Sequence, residues 1–241
     1  MQNNSSNFDF DSLFAGFAEY AAANEFIPMR ELIYQYLRDA IICRKLPAGE
    51  HMVEDDLARN LNASRTPVRE ALRKLESEGL LKHHRRRGVE VRQLTGKEAA
   101  DIYDICMILE GYAARLVAEQ ASADVLDKLQ TLLDKMLEAI DASNHEREMA
   151  LHQAFHFTIY ENCKNKRVEN LLKLYNDYIQ LFRAYSLKAE GRMRNSLEEH
   201  EHLLRAIEMQ DGNLAETHAR KHLSVSKEAF LQQWELIQDQ S

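Results

Sequence analysis

The sequence predicts a mainly α protein: an N-terminal winged helix-turn-helix followed by a C-terminal antiparallel six-helix bundle. Three observations carry this. Glycine (8) and proline (3) are scarce among 241 residues, too few for the many turns of an all-β sandwich or barrel. Apolar residues recur at helical spacing from Met29 to Cys43 and almost everywhere after Thr95. Between them, residues 80–92 break that spacing around the charged tip Arg85-Arg86-Arg87-Gly88, which reads as a hairpin.

Composition narrows the classes. Hydrophobic residues make up 45% and charged residues 29%, the balance of an ordinary globular chain. No run approaches the roughly 18 apolar residues of a membrane span, so no membrane partner is expected. The first basic residue is Arg30, so no basic leader precedes the fold. Cys43, Cys106 and Cys163 are odd in number and far apart, unlike a disulfide framework. The expected setting is cytoplasmic. The net charge of −8 hides an asymmetry. Residues 1–27 carry −4, residues 28–95 carry 14 Lys/Arg against 10 Asp/Glu, and residues 96–241 carry 17 against 25. A basic segment is therefore embedded in an acidic chain, which reopens the nucleic-acid reading that the whole-chain charge opposes.

The elements follow in order. Residues 1–27 form an N-terminal tail or a docked amphipathic arm, with Ser12 placed to cap a short helix carrying Leu13, Phe14, Phe17 and Ala21. Residues 28–95 form the winged helix-turn-helix. Leu32, Ile33, Tyr36, Leu37, Ala40 and Ile41 line its first helix, and Pro47-Ala48-Gly49 turns the chain. A short helix spans about 53–60, and a second begins at Ser64, with Pro67 in its first turn and Gly79 as its stop. Residues 96–237 are expected to form a single helical domain. Thr95 and Glu98 make a capping box at its start. Helices are expected near 96–121, 123–142, 146–163, 166–187, 193–210 and 213–237.

The second short helix opens Ser64-Arg65-Thr66-Pro67-Val68-Arg69. Arg65 and Arg69 are one turn apart and project from one face. Each offers a fork of donors for guanine or phosphate. Ser64, Thr66 and the helix N-terminal N–H groups suit phosphate oxygens. Arg73 continues the charge, and Arg85, Arg86 and Arg87 at the wing tip reach for the backbone or a minor groove.

Seven of the ten histidines lie beyond residue 96. His152 and His156 are one turn apart on the face of Phe155 and Ile159. His200 shares the face of Leu203, Leu204 and Ile207, while His202 points away. His222 lies with Ala215, Ala219 and Ala229. Three helices thus aim imidazoles at one interior. Two explanations stand side by side: separately satisfied core histidines, or a shared divalent metal. As an enzyme, a di-iron bundle would need paired Glu-x-x-His motifs, and only Glu199-x-x-His202 exists. No P-loop, GxGxxG, GxSxG or HExxH motif is present. The alternatives to a DNA-binding regulator are a metal-dependent helical-bundle enzyme and an adaptor with an accessory basic module.

The string Leu57-Ala58 … Ser64-Arg65-Thr66-Pro67-Val68-Arg69-Glu70-Ala71-Leu72 … Leu75-Glu76 … Gly79-Leu80 … Arg87-Gly88-Val89 resembles the GntR family of bacterial transcription regulators. With Leu109-Glu110 and the histidine pattern, the remainder is similar to the FadR-type subfamily, whose effector domain is called FCD. The resemblance spans about residues 30–236 and implies operator DNA and a homodimer as partners, residues 96–237 as a metal- and effector-binding and dimerisation domain, and repression as the expected activity. It places the family's DNA contacts on Ser64, Arg65, Thr66, Arg69 and the wing around Arg85. A basic contact used by some members falls here on Asp55.

The resemblance also implies a metal site. The family pattern Asp-x-x-Phe-His, then Glu-His, then a final His is matched by Phe155-His156, Glu199-His200 and His222, with His152 at the Asp position. His218 is the substitute if His152 does not ligate. An all-nitrogen set favours zinc or nickel, with manganese as a lesser choice. A metal with an open position suits a small organic acid as effector. An Arg that the family often places four residues before Glu110 is Cys106 here, so an effector carboxylate is held by the metal, by another base such as Arg183, or not at all.

Overall fold

The computed structural model describes residues 10–42, 45–85, 87–92, 95–187 and 191–238. The chain divides into two compact units, Met1–Leu94 and Thr95–Ser241.

The first unit holds α1 (Phe10–Ala23), α2 (Met29–Ile42), β1 (His51–Met52), α3 (Glu54–Asn60), α4 (Arg65–Ser77), β2 (Leu81–His84) and β3 (Gly88–Val91). Helix α2 buries Leu32, Ile33, Leu37 and Ile41, one apolar stripe, and packs on α4, which buries Val68, Ala71, Leu72 and Leu75. Each buried Leu, Ile or Val among them contributes about 1.5–3 kcal/mol. A polar clamp sets their relative position. Tyr34 donates to Glu78 Oε1 at 2.6 Å, and Arg38 Nε meets Glu78 Oε2 at 3.1 Å. Burial, reinforced by Glu78, pushes the Tyr34 hydroxyl up.

Of the two readings of the N-terminal segment, residues 10–23 take the docked one. Leu13 and Phe17 are buried, the Phe17 ring packs edge-on against Tyr36 at 5.3 Å, and Tyr36 donates to the Leu13 carbonyl at 2.8 Å. Ser12 lies inside α1 and is not its cap. Ser64 holds the N-cap position of α4 in extended conformation but makes no capping bond through its side chain. The hairpin gains a third strand that the sequence reading did not anticipate. The sheet order is β1-β3-β2, antiparallel throughout, with Met52 opposite Val89 and His83 opposite Val89 on the other side. Gly88 turns into β3 at φ 80°, and a Cβ there would sit 2.1 Å from the Met52 carbonyl oxygen.

The second unit is the six helices α5 (Gly96–Ala118), α6 (Ala123–Asp141), α7 (His145–Asn162), α8 (Lys166–Ser186), α9 (Arg192–Glu208) and α10 (Gly212–Gln238). The capping box forms: Thr95 Oγ1 accepts from the Glu98 N–H at 3.1 Å, and the Thr95 N–H donates to Glu98 Oε2 at 2.9 Å. Helix α5 ends at Ala118, earlier than expected. The breaks after α6, α7 and α9 carry Ser143, Lys164 and Gln210 at positive φ, the left-handed turn that stops a helix. Phe155, Ile159, Leu129, Leu133, Leu203 and Ile207 build the core. Helices α5 and α10 approach closely through Gly111, where a Cβ would meet Arg220 Cγ at 2.8 Å. No helix among the described residues is long and apolar enough to cross a membrane.

Candidate metal centre and nucleic-acid interface

Helix α4 presents Ser64, Arg65, Thr66, Arg69 and Arg73, all exposed, at and beyond its N-terminus. Its opposite face is the apolar stripe against α2, so packing leaves the polar face outward. Arg85 and Arg87 are exposed at the wing tip, and Arg86 lies outside the described residues. Two of these arginines are already paired. Arg65 Nε meets Asp55 Oδ1 at 3.1 Å, and Arg69 meets Glu54 through Nε at 3.0 Å and Nη2 at 2.5 Å. The acidic first turn of α3 therefore faces the basic first turns of α4. The sequence marked Asp55 only as a missing basic contact; its pairing depends on side-chain reach between two helices.

In the second unit, His152 and His156 from α7, His200 from α9 and His222 from α10 converge. One ring nitrogen from each lies within 4.8 Å of the others, and all four residues are at most 2% exposed. His200 Nε2 stands 3.2 Å from His156 Nε2. Two carboxylates hold the rings from outside. Glu110 Oε2 lies 3.0 Å from His156 Nδ1, and Glu199 Oε2 lies 2.7 Å from His222 Nδ1. Glu110 also accepts from the Tyr160 hydroxyl at 2.5 Å, and Glu199 accepts from Arg192 at 2.9 Å. A carboxylate on Nδ1 fixes that N–H and turns the Nε2 lone pair inward, the arrangement that orients metal-binding imidazoles. His152 Nε2 is 3.1 Å from Ser196 Oγ. Nδ1 of His152 and of His200 has no partner among the described residues.

Electrostatics keep the rings neutral. Burial pushes His152 and His200 well below the ordinary histidine value, and His222 down to about 4. Burial also lowers His156, against the upward pull of Glu110. Burial alone would raise Glu110, but His156 and Tyr160 together hold it below the usual carboxylate range. Neutral, desolvated imidazoles with unpartnered nitrogens are a donor set that a divalent cation satisfies.

His218 is not among the four: it is half-buried and stacks on His202 at 5.6 Å. Arg183, from α8, is 4% exposed, with Nη1 unpartnered among the described residues. Burial lowers its guanidinium value. Cys106 and Cys163 are free and buried, and burial pushes the Cys106 thiol up. Cys43 lies outside the described residues. The sequence reading gave no role to Ser196 or Arg192, and named Glu110 and Glu199 only as parts of the family pattern. A glutamate among Cys106, Leu109 and Ala113 on an apolar face was the one available signal.

A winged helix-turn-helix with an arginine-rich second helix, joined to a histidine-bearing bundle, defines a class of bacterial regulator. Residues 29–91 match the family described as "Bacterial regulatory proteins, gntR family", and residues 101–225 match the FCD domain. The chain belongs to the GntR family, with an FCD domain, and is a DNA-binding transcription regulator. It is 31% identical over 192 residues to the uncharacterized HTH-type transcriptional regulator YdhC of Bacillus subtilis, covering 79% of this chain and 86% of the relative. It is 30% identical to the gluconate operon transcriptional repressor of Bacillus licheniformis, over 74% of this chain and 75% of that one. Among solved structures it shares its fold with E. coli McbR/YncC, at TM-score 0.68 and 22% identity, over 86% of this chain and 99% of that one.

Proposed function

We propose that the chain is a metabolite-responsive repressor that reads operator DNA as a homodimer through α4 and the wing. Its four buried histidines hold a divalent transition metal, and a small organic acid bound there alters operator affinity. The convergence of four neutral imidazoles, two of them buttressed by carboxylates, carries this reading. Similarity to a gluconate operon transcriptional repressor supports the repressor activity. Ser64, Arg65, Thr66, Arg69, Arg73 and the wing arginines contact the duplex. One recognition helix covers few base pairs, so useful specificity needs two half-sites and hence two copies.

His152, His156, His200 and His222 hold the metal, and the nitrogen-only set favours zinc or nickel over manganese. When bound, the ion supplies a positive centre for a carboxylate. Arg183 gives the acid a second cationic contact. The protein is not an enzyme on this reading, because both carboxylates that touch the histidines are engaged: Glu110 by His156 and Tyr160, Glu199 by His222 and Arg192. Elemental analysis of the purified protein tests the centre. About one divalent transition metal per chain is expected, with loss of metal in His200→Ala. A metal-free protein that shows no thermal shift with zinc, nickel or manganese would overturn it.

A further inference from the structure

The histidine cluster is one end of a longer polar interior. Arg192, Ser196 and His200 follow at four-residue intervals on α9, share one face, and are all buried. Arg192, 5% exposed, donates through Nη2 to Glu199 Oε2 and to Ser226 Oγ, both at 2.9 Å. Its Nε and Nη1 have no partner among the described residues. Because Glu199 also binds His222, the Arg192 guanidinium stands one carboxylate and one imidazole away from the cluster. Arg183 brings a second buried guanidinium with a free Nη1. Tyr103 and His200 each lie within electrostatic reach of both arginines, so the two cations border the same interior. Glu148, 2% exposed, adds an unpartnered Oε2, and burial pushes its carboxyl toward the neutral form.

Unpartnered N–H donors on buried cations carry the full cost of lost solvation. A ligand that leaves them unmet would bind weakly. Arg192 is paired with Glu199 through Nη2 alone, so a monoanion held at the ion would leave its Nε and Nη1 unmet. We propose that this interior binds a short-chain dicarboxylate, with one carboxylate at the histidine-held ion and Arg183 and the other on Arg192. This rests on the metal-and-acid reading above and adds the second charge to it.

The test is calorimetric titration of the zinc-loaded full-length protein with succinate and glutarate, each against the monoacid of equal chain length, butyrate and valerate. The diacid is expected to bind at least about tenfold more tightly than its monoacid partner. Arg192→Met should erase that preference, and Arg192→Lys should restore part of it. Equal binding of diacid and monoacid by the wild type overturns this proposal but leaves the acid-effector reading standing. A preference retained in Arg192→Met overturns the role of Arg192. If neither acid class binds, both readings fall. The wild-type comparison decides the question even if Arg192→Met does not fold.

Discussion

Four imidazoles buried to 2% exposure or less each cost desolvation, and a lone core histidine is normally relieved by one hydrogen bond. Here two nitrogens go unrelieved, so the metal-free state should be sensitive to acid. An unfolded histidine titrates near 6.5, whereas folded His222 titrates near 4 and His152 and His200 well below their ordinary value. The unfolded chain therefore takes up protons first as pH falls. Stability of the chelated protein is complete above the unfolded value and is lost as pH drops toward 4, by up to about 1.4 kcal/mol per pH unit for each histidine. Denaturant titrations across that range check this, and a flat profile would contradict the neutral cluster. Metal should flatten it, because a ligated nitrogen cannot accept a proton. Glu110→Gln keeps a hydrogen-bonding side chain but removes the negative charge beside His156, so metal affinity should fall about 10–100-fold, read by chelator competition. The four histidines were legible in the sequence because one-turn spacing and apolar neighbours place a side chain inward. Glu110 and Arg192 were not legible in the same way. Their partners, Tyr160 and Ser226, stand 50 and 34 residues away on other helices, and no local pattern encodes such a pairing.

Helices were predicted well because each carries its own period and its own stop. The two-residue strand β1 has no period to read, and it exists only because β3 offers it an edge. That edge depends on Gly88. A side chain there would suffer both the left-handed backbone and overlap with the Met52 carbonyl. Gly88→Ala should destabilise the first unit by about 2 kcal/mol or more. Loss of DNA binding at growth temperature, recovered on cooling, would accompany it. The facing turns of α3 and α4 make a second case. Exposed ion pairs such as Arg65–Asp55 contribute little to stability, typically about 0–1 kcal/mol. Their consequence is for DNA. Glu54 and Asp55 put two acids beside the arginines proposed to meet phosphates and bases. Arg65→Ala should cost about 1–3 kcal/mol of operator binding if it reads a base. Asp55→Asn should act in the opposite direction, tightening non-specific binding more than specific binding. Paired measurements on operator and random duplex across a salt series separate the two effects. Weaker binding by Asp55→Asn to both duplexes would show that the acid instead positions Arg65.

At the scale of the whole molecule, β3 ends at Val91 and α5 begins at Gly96, so few residues join the DNA-reading unit to the histidine-bearing one. On the proposed reading, the acid and the operator then compete or cooperate through one folded chain. An acid that bound the DNA-competent and incompetent arrangements equally would shift nothing, however tightly it bound. A tenfold change in operator affinity requires about 1.4 kcal/mol of differential binding, within the usual range of such couplings. Linkage makes the effect reciprocal: if the acid weakens operator binding by a given factor, the operator must weaken acid binding by the same factor. This distinguishes true coupling from a non-specific salt effect of the added carboxylate, which would lower DNA affinity without altering acid affinity. Two titrations on the metal-loaded protein measure both sides, acid into the free and the operator-bound protein, and operator into the free and the acid-bound protein. Equal factors are expected. His200→Ala should remove both while leaving effector-free operator binding within about twofold of wild type, because α4 and the wing lie in the other compact unit. A His200→Ala protein that still responded fully to acid would place the effector away from the histidines.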